Sequence, residues 1–595
     1  MFERLNVFRP VGPAVLSLEA QAGLPADLRE RGGFEVLVRH LLNRFLNNEV
    51  MSSDGESTRA VQAGYMLALP GLIYALFQFA SYHQRGSFHR GYWPQVGDHF
   101  FYVIYSFVLM GVVTVCEWDL LFPDLLDVWV LSVLPIERRR LFLARVLAVG
   151  LFLGVVLVGT NFLGAIFLPL VADLPSLPLH LFAHGVSVAM AGIFTAAAGL
   201  MVQGVLLNLM SERMFRRIGP LPQGGSIMVL LTVLFLYPAM VQFLEPLLRS
   251  GSSAVQWFPP FWFLGIYERM LGGAAGLPIY GQLAMKGWWG TALTVAMVLV
   301  TYPVAYRKRV RQLVEGSSAR RSRRAGAGLL DRLLDVTILR GAQGRAVFHF
   351  VEQTLLRTQR HRVMLAVYGG LGTAFTLAGL FSFRPKGQHV GVGFVADGIR
   401  SAVPVLVFWT VMGMRTALAA PVDRRGKWIF RAILGRPSLQ HINGAKRWVM
   451  LCASLISVWT VLGLLAVAPV EMLKPIVVVV QLVVAVGMSV LLTDCLFSRT
   501  IALPFTVQRQ ASTAEMPWAV FRYFVAFPLL VIVMLEVERW MEMGTAHVVR
   551  VVVLAILAHL WWRWRLAVRV RELWLGGDFE DEDEPPAYQG LGLRD

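Results

Sequence analysis

The sequence predicts an all-α, polytopic membrane protein, with about twelve transmembrane helices in two parallel-repeat halves of six. Three observations predict it. Of 595 residues, 56% are apolar and only 16% charged, with a mean hydropathy of +0.58, whereas a soluble domain is about one-quarter charged and cannot bury that much apolar side chain. Apolar runs of about 20 residues recur along the chain, the length a helix needs to cross a hydrocarbon core of about 30 Å. Finally, the basic residues gather in alternate connecting segments, as they do when charge sets orientation across a bilayer.

The same composition excludes other classes. A disordered chain is poor in aromatic and branched apolar residues, and this one has 37 Phe, 17 Trp and 14 Tyr. Its three cysteines, Cys116, Cys452 and Cys495, lie in apolar runs and form no disulfide framework. A net charge of +17 would suit a nucleic-acid partner. The placement of the charge assigns it to topology instead, and no nucleic acid is expected.

The elements follow in order. Residues 1–60 hold no spanning run and are expected to form a cytoplasmic segment with an amphipathic helix. The first half, 61–306, contains spans near 61–82, 99–119, 146–171, 179–209, 225–246 and 287–306. A basic linker and a second amphipathic helix occupy 307–361. The second half, 362–570, contains spans near 363–383, 400–420, 448–470, 473–497, 517–536 and 546–566, with the division around 473 the least marked. An acidic tail closes the chain at 571–595. One set of connecting segments carries Arg138, Arg139, Arg140, Arg213, Arg216, Arg217, Arg424 and Arg425 among others, while the alternate set is sparser, with Arg85, Arg90, Arg249, Arg269, Lys286, Arg384, Lys386, Lys474 and, in an acidic patch, Arg539. Both termini are therefore expected in the cytoplasm of a multi-pass protein of the plasma (inner) membrane.

Several features recur about 290–315 residues apart in the same order. Phe34, Leu37, Leu41, Leu42 and Phe45 before the first span match Phe348, Val351, Leu355 and Leu356 before the seventh. Met110-Gly111 matches Met412-Gly413, and Asp124 with Trp129 matches Asp423 with Trp428. Pro238 in the fifth span and Pro528 in the eleventh are expected to kink their helices. Such order indicates a parallel duplication, one known plan for transporters.

After the second span, residues 121–141 include Pro123-Asp-Leu-Leu-Asp127, Trp129, Leu134-Pro135 and the cluster Arg138-Arg139-Arg140. The pattern suits a short interfacial helix that Asp124 caps and Pro135 stops. It reads either as a positive-inside linker or as a rigid element transmitting force from a partner. Residues 257–273 begin Trp257-Phe-Pro259-Pro260-Phe-Trp262. Such aromatics collect at membrane interfaces without a ligand, and the other reading is an outer gate.

These features resemble ABC-2-type exporter permeases, the integral membrane subunits of ABC transporters, here in a fused, double-length form. The Pro-Asp-x-x-Asp run, the Leu-Pro and the basic cluster resemble that family's cytoplasmic coupling loop. Trp257 to Trp262 resembles its Pro-Pro-x-Trp stretch before the sixth span. The resemblance implies partner coupling through 121–140 and 421–446, involving Asp124, Asp127, Trp129, Arg138, Arg139, Asp423 and Trp428. It implies a separate cytoplasmic ATPase, in two copies or as a heteropair, which would hold ATP and Mg, and an unidentified transported substrate. In the second half, Pro421-Val-Asp423-Arg-Arg lacks the second aspartate and the Leu-Pro. With no Gly-x-x-x-x-Gly-Lys-[Ser/Thr] in the chain, no phosphate cradle is expected here, and no cofactor or catalytic residue is assigned to it.

Two rivals remain. An ion-coupled secondary transporter would need buried carboxylates within the spans, and the sequence alone singles out no convincing one. A membrane enzyme or scaffold would need a cluster of carboxylates or histidines facing one cavity. His180 and His184, four apart, are read as packing residues with no third metal ligand evident. Asp494 and His559 are ionisable residues in or near spans and stay as candidates.

Overall fold

The computed structural model describes residues 26–46, 57–82, 91–131, 136–171, 177–211, 214–215, 218–272, 277–314, 341–386, 389–420, 439–497, 504–505 and 516–576. Among the described residues the fold is all-α apart from one hairpin. In chain order the first helices are α1 (Ala26–Leu46), α2 (Ser57–Tyr82), α3 (Tyr92–Cys116), α4 (Trp118–Leu121), α5 (Leu125–Leu131), α6 (Arg138–Val171) and α7 (Leu177–Leu209). They continue with α8 (Pro220–Phe235), α9 (Tyr237–Val241), α10 (Leu244–Ser250), α11 (Ser253–Trp257), α12 (Pro259–Met270) and α13 (Pro278–Val314). Then come α14 (Ala342–Arg357), α15 (Gln359–Leu380), strands β1 (Phe381–Lys386) and β2 (His389–Phe394), α16 (Ala396–Ala419) and α17 (Leu439–Val467). The last are α18 (Pro475–Phe497), α19 (Met516–Glu542) and α20 (Thr545–Gly576).

Nine helices among the described residues are long and apolar enough to cross a membrane. The twelve apolar runs lie mostly on helix, but not all as one rod, and the run at 363–383 ends in β1. The run at 225–246 is divided into α8, α9 and α10. Pro238 sits in the first turn of α9, where its missing N–H costs nothing, so here a helix ends and another begins instead of bending. Pro528, by contrast, lies inside the continuous α19. The sequence reading also missed the β1–β2 hairpin, which joins α15 to α16.

The exterior carries the membrane signature. On α6, Leu143, Leu147, Leu151, Val155, Val158 and Phe162 are exposed at intervals of three and four, one continuous apolar face that water would not tolerate. Val549, Val553, Leu554, Leu557 and Leu560 do the same on α20.

The chain divides into two compact units, one of residues 1–322 with 369–393 and one of 323–368 with 394–595. In the first, α3 packs against α7, α8 and α12, α2 against α6, and α13 against α7 and α12. Its core is built from α3 and α12 around Phe100, Ile104, Phe263 and Tyr267. The amphipathic α1 lays Leu37, Leu41 and Phe45 against α6, with Phe45 stacked 5.1 Å from Phe152. Gly111 permits one of the close crossings, since a Cβ there would meet Thr195 at 2.6 Å.

In the second unit, α14 packs its buried Phe348, Val351 and Leu355 against α17, and α18 contacts α16, α17 and α20. Val411, Val449 and Val480 form the centre of that core. Asp423, Trp428 and most of 421–446, like the basic stretch 316–328 and residues 577–595 of the acidic tail, lie outside the described residues, while α20 runs on through 571–576.

Candidate functional site: the clamped loop after the second span

At the C-terminal end of α3 the chain turns through α4 into α5, and each step leaves backbone groups without helical partners. Side chains of other helices satisfy them. Gln223 of α8 donates to the Val115 carbonyl at 3.0 Å, and Gln203 of α7 to that of Trp118 at 2.5 Å. Tyr302 of α13 donates to Leu121 O at 2.7 Å. Arg145 of α6 donates to the carbonyls of Leu120 and, at 2.8 Å, Phe122. Four helices thus hold one loop.

Asp124 and Asp127 then start α5 reciprocally. The Asp127 amide donates to Asp124 Oδ1 at 2.7 Å and the Asp124 amide to Asp127 Oδ2 at 3.3 Å, a capping box with an aspartate at each end. The remaining carboxylate oxygens meet cations. Arg44, in the last turn of α1, places one guanidinium nitrogen on each aspartate. Arg145 Nη1 reaches Asp127 Oδ2 at 2.9 Å. Asp127 is 8% exposed and Arg145 4%, and the Arg145 guanidinium also lies 5.6 Å from the Phe45 ring centroid. Partial burial opposes ionisation of Asp124. The hydrogen bonds from Arg44 and the Asp127 amide and the charges of Arg44 and Arg145 outweigh it, holding that carboxylate below its usual range.

Asp124, partly exposed, and the buried Asp127 tie α5 to α1 and α6. The physical reason is the cap itself, which turns both side chains back over the first turn, toward two arginines. Val128 is buried, whereas Trp129 and Val130 are 63% and 62% exposed, so the face presented outward is apolar. Arg138 and Arg139 stand exposed in the first turn of α6.

The proposed gate residues separate. Trp257 is exposed, while Pro259 and Pro260 open α12 at its first turn, and Pro260 is buried. Trp262 donates through Nε1 to Gln256 O at 2.8 Å. The α12 helix brings Glu268 into a buried cluster at the N-terminal end of α3 that the sequence reading did not anticipate. His99 Nδ1 lies 2.7 Å from Glu268 Oε1, and Tyr92 donates to Glu268 Oε2 at 3.1 Å. Tyr74 and Tyr82 each donate to Asp98 at 2.8 Å. His184 Nδ1 is 3.2 Å from the Tyr267 hydroxyl, consistent with a packing role. The available signal was ionisable residues inside apolar helices. In the second unit Lys446, also missed, and His559 flank the fully buried Asp494, each at 2.5 Å. Among the described residues no three His, Cys, Asp or Glu are grouped to hold a metal.

Fold and exterior define the class: a polytopic α-helical membrane protein. Comparison with known protein families, characterised proteins and solved structures finds no match that narrows it.

Proposed function

We propose that the chain is the transmembrane permease of an ATP-driven exporter of the ABC-2 type, twelve-spanning, with both termini in the cytoplasm of the plasma membrane. A separate cytoplasmic ATPase would bind ATP and Mg and act through residues 121–140 and 421–446. The observation that carries this reading is the clamp: α5 is bonded to α1 and α6, and the turn leading into it to α6, α7, α8 and α13. A displacement of α5 therefore cannot be absorbed locally; it must move the helices. A positive-inside linker needs none of those bonds. The exposed Trp129 and Val130 offer an apolar contact for a partner.

A parallel duplication is supported by packing that recurs within each unit. The amphipathic helix lies on the third apolar helix (α1 on α6, α14 on α17), and the second lies on the fourth (α3 on α7, α16 on α18). The mechanism would be alternating access, driven by the different affinities of ATP for the two states of the ATPase pair.

Buried ionisable groups favour one alternative, an ion-coupled transporter: Glu268 with His99, and Asp494 with Lys446 and His559. Reconstitution separates the two. Transport in proteoliposomes should require the ATPase and ATP and persist without an ion gradient; transport by the chain alone, driven by a pH or sodium gradient, overturns the permease reading.

A further inference from the structure

Beside the clamp, a cavity of about 760 Å³ opens between α1, α5, the start of α6 and the end of α13. Its polar wall is one-signed. Arg138, Arg139 and Arg145 of α6 and Arg307 and Arg311 of α13 line it, against a single acid, Asp127. That acid already receives Arg44 and Arg145, so the cavity keeps a strong positive potential. Arg145 is nine-tenths buried, and its Nε has no hydrogen-bond partner. A buried unpaired guanidinium N–H is costly, and this one belongs to a residue that lines the cavity. Apolar side chains, Leu131, Phe142 and Val310 among them, line the rest of the cavity.

We propose that this cavity binds the phosphate of an anionic phospholipid, with the head of its acyl chains along the apolar side chains. Guanidinium groups match phosphate geometrically and resist desolvation better than ammonium groups. The cavity sits where the apolar lengths of α6 and α13 give way to arginines, the depth at which headgroups lie whichever leaflet this is. A free phosphate would use the arginines but leave the apolar side chains unused, and so the lipid is favoured. The inference rests on the membrane class alone, not on coupling to an ATPase.

The test uses the purified full-length chain, delipidated in neutral detergent, with native mass spectrometry reading bound lipid. Phosphatidylglycerol and phosphatidylcholine of identical chains are compared, with inorganic phosphate as a third probe. The expected result is preferential retention of phosphatidylglycerol. Each arginine near an anionic headgroup contributes on the order of fivefold, so Arg138→Gln with Arg139→Gln and Arg307→Gln should cut that preference by at least about tenfold. These three side chains are exposed, so the fold does not depend on them. A second variant, Val310→Glu, places an acid in the wall and should give the same loss. No preference in the wild type, or a preference unchanged in either folded variant, overturns the proposal. Inorganic phosphate displacing the lipid at equal concentration would assign the site to a soluble phosphate and overturn the lipid.

Discussion

Arg145 and Asp127 form a buried ion pair, 2.9 Å between Nη1 and Oδ2, that joins the third apolar helix to the loop following the second. The two residues are 18 apart in sequence, yet the pair closes only because Asp127 is simultaneously turned inward by the helix it caps.

Removing one partner of such a pair leaves the other charged and buried. Asp127→Ala should therefore destabilise by about 3 kcal/mol or more, whereas Asp124→Ala, which loses a cap and a partly exposed contact, should cost only about 1 kcal/mol. Thermal unfolding of the purified chain in detergent checks the order. Equal shifts in Tm would mean that the two aspartates are not placed as described.

The Asp124 carboxylate is held below its usual range, which fixes a sign for pH. A depressed folded-state pKa adds stability that is complete above the unfolded value of about 4 and is lost as pH falls through the lower, folded value. From pH 7 to 5 this group should leave Tm unchanged, and below about pH 4 Tm should fall. Asp124→Asn should start lower at neutral pH and show a shallower acid limb. An identical acid limb in both proteins would contradict the assignment.

Rigidity of α5 can be tested apart from its charges. Val128 donates its amide to the Asp124 carbonyl at 3.2 Å, so Val128→Pro removes a helical bond in the middle of α5 at a local cost of about 3 kcal/mol. Under the proposed coupling, the variant should be inserted and helical and still bind the ATPase subunit but no longer respond to ATP in a reconstituted transport assay. Unchanged transport would make residues 121–131 a linker.

Topology has its own readout. In a chain with its three native cysteines replaced, Trp257→Cys, at an exposed position, should label from outside intact cells, and Ser317→Cys only after permeabilisation. Labelling of Ser317→Cys from outside inverts the orientation.

Lys446 and Asp494 are 4% and 0% exposed at the side chain. Lys446→Met alone should lower Tm, by less than a fully unpaired buried charge would because His559 still faces Asp494, while Lys446→Met with Asp494→Leu should recover most of the loss. Failure of the double variant to recover would give the pair a role beyond packing.

The sequence by itself determined the class and most of the helices, because burial in hydrocarbon requires runs of apolar residues whose length the bilayer sets. It also placed the cap at Asp124, a local interaction spanning three residues. Tertiary structure alone decided where the charges went. Arg44 is 83 residues from Asp127, and His99 is 169 from Glu268; no periodicity connects them, since pairing depends on which helices become neighbours. It also decided that Trp129 faces out and Asp127 in, and that the fifth run breaks before Pro238. Composition states what must be hidden from water, but only packing states which buried charge meets which.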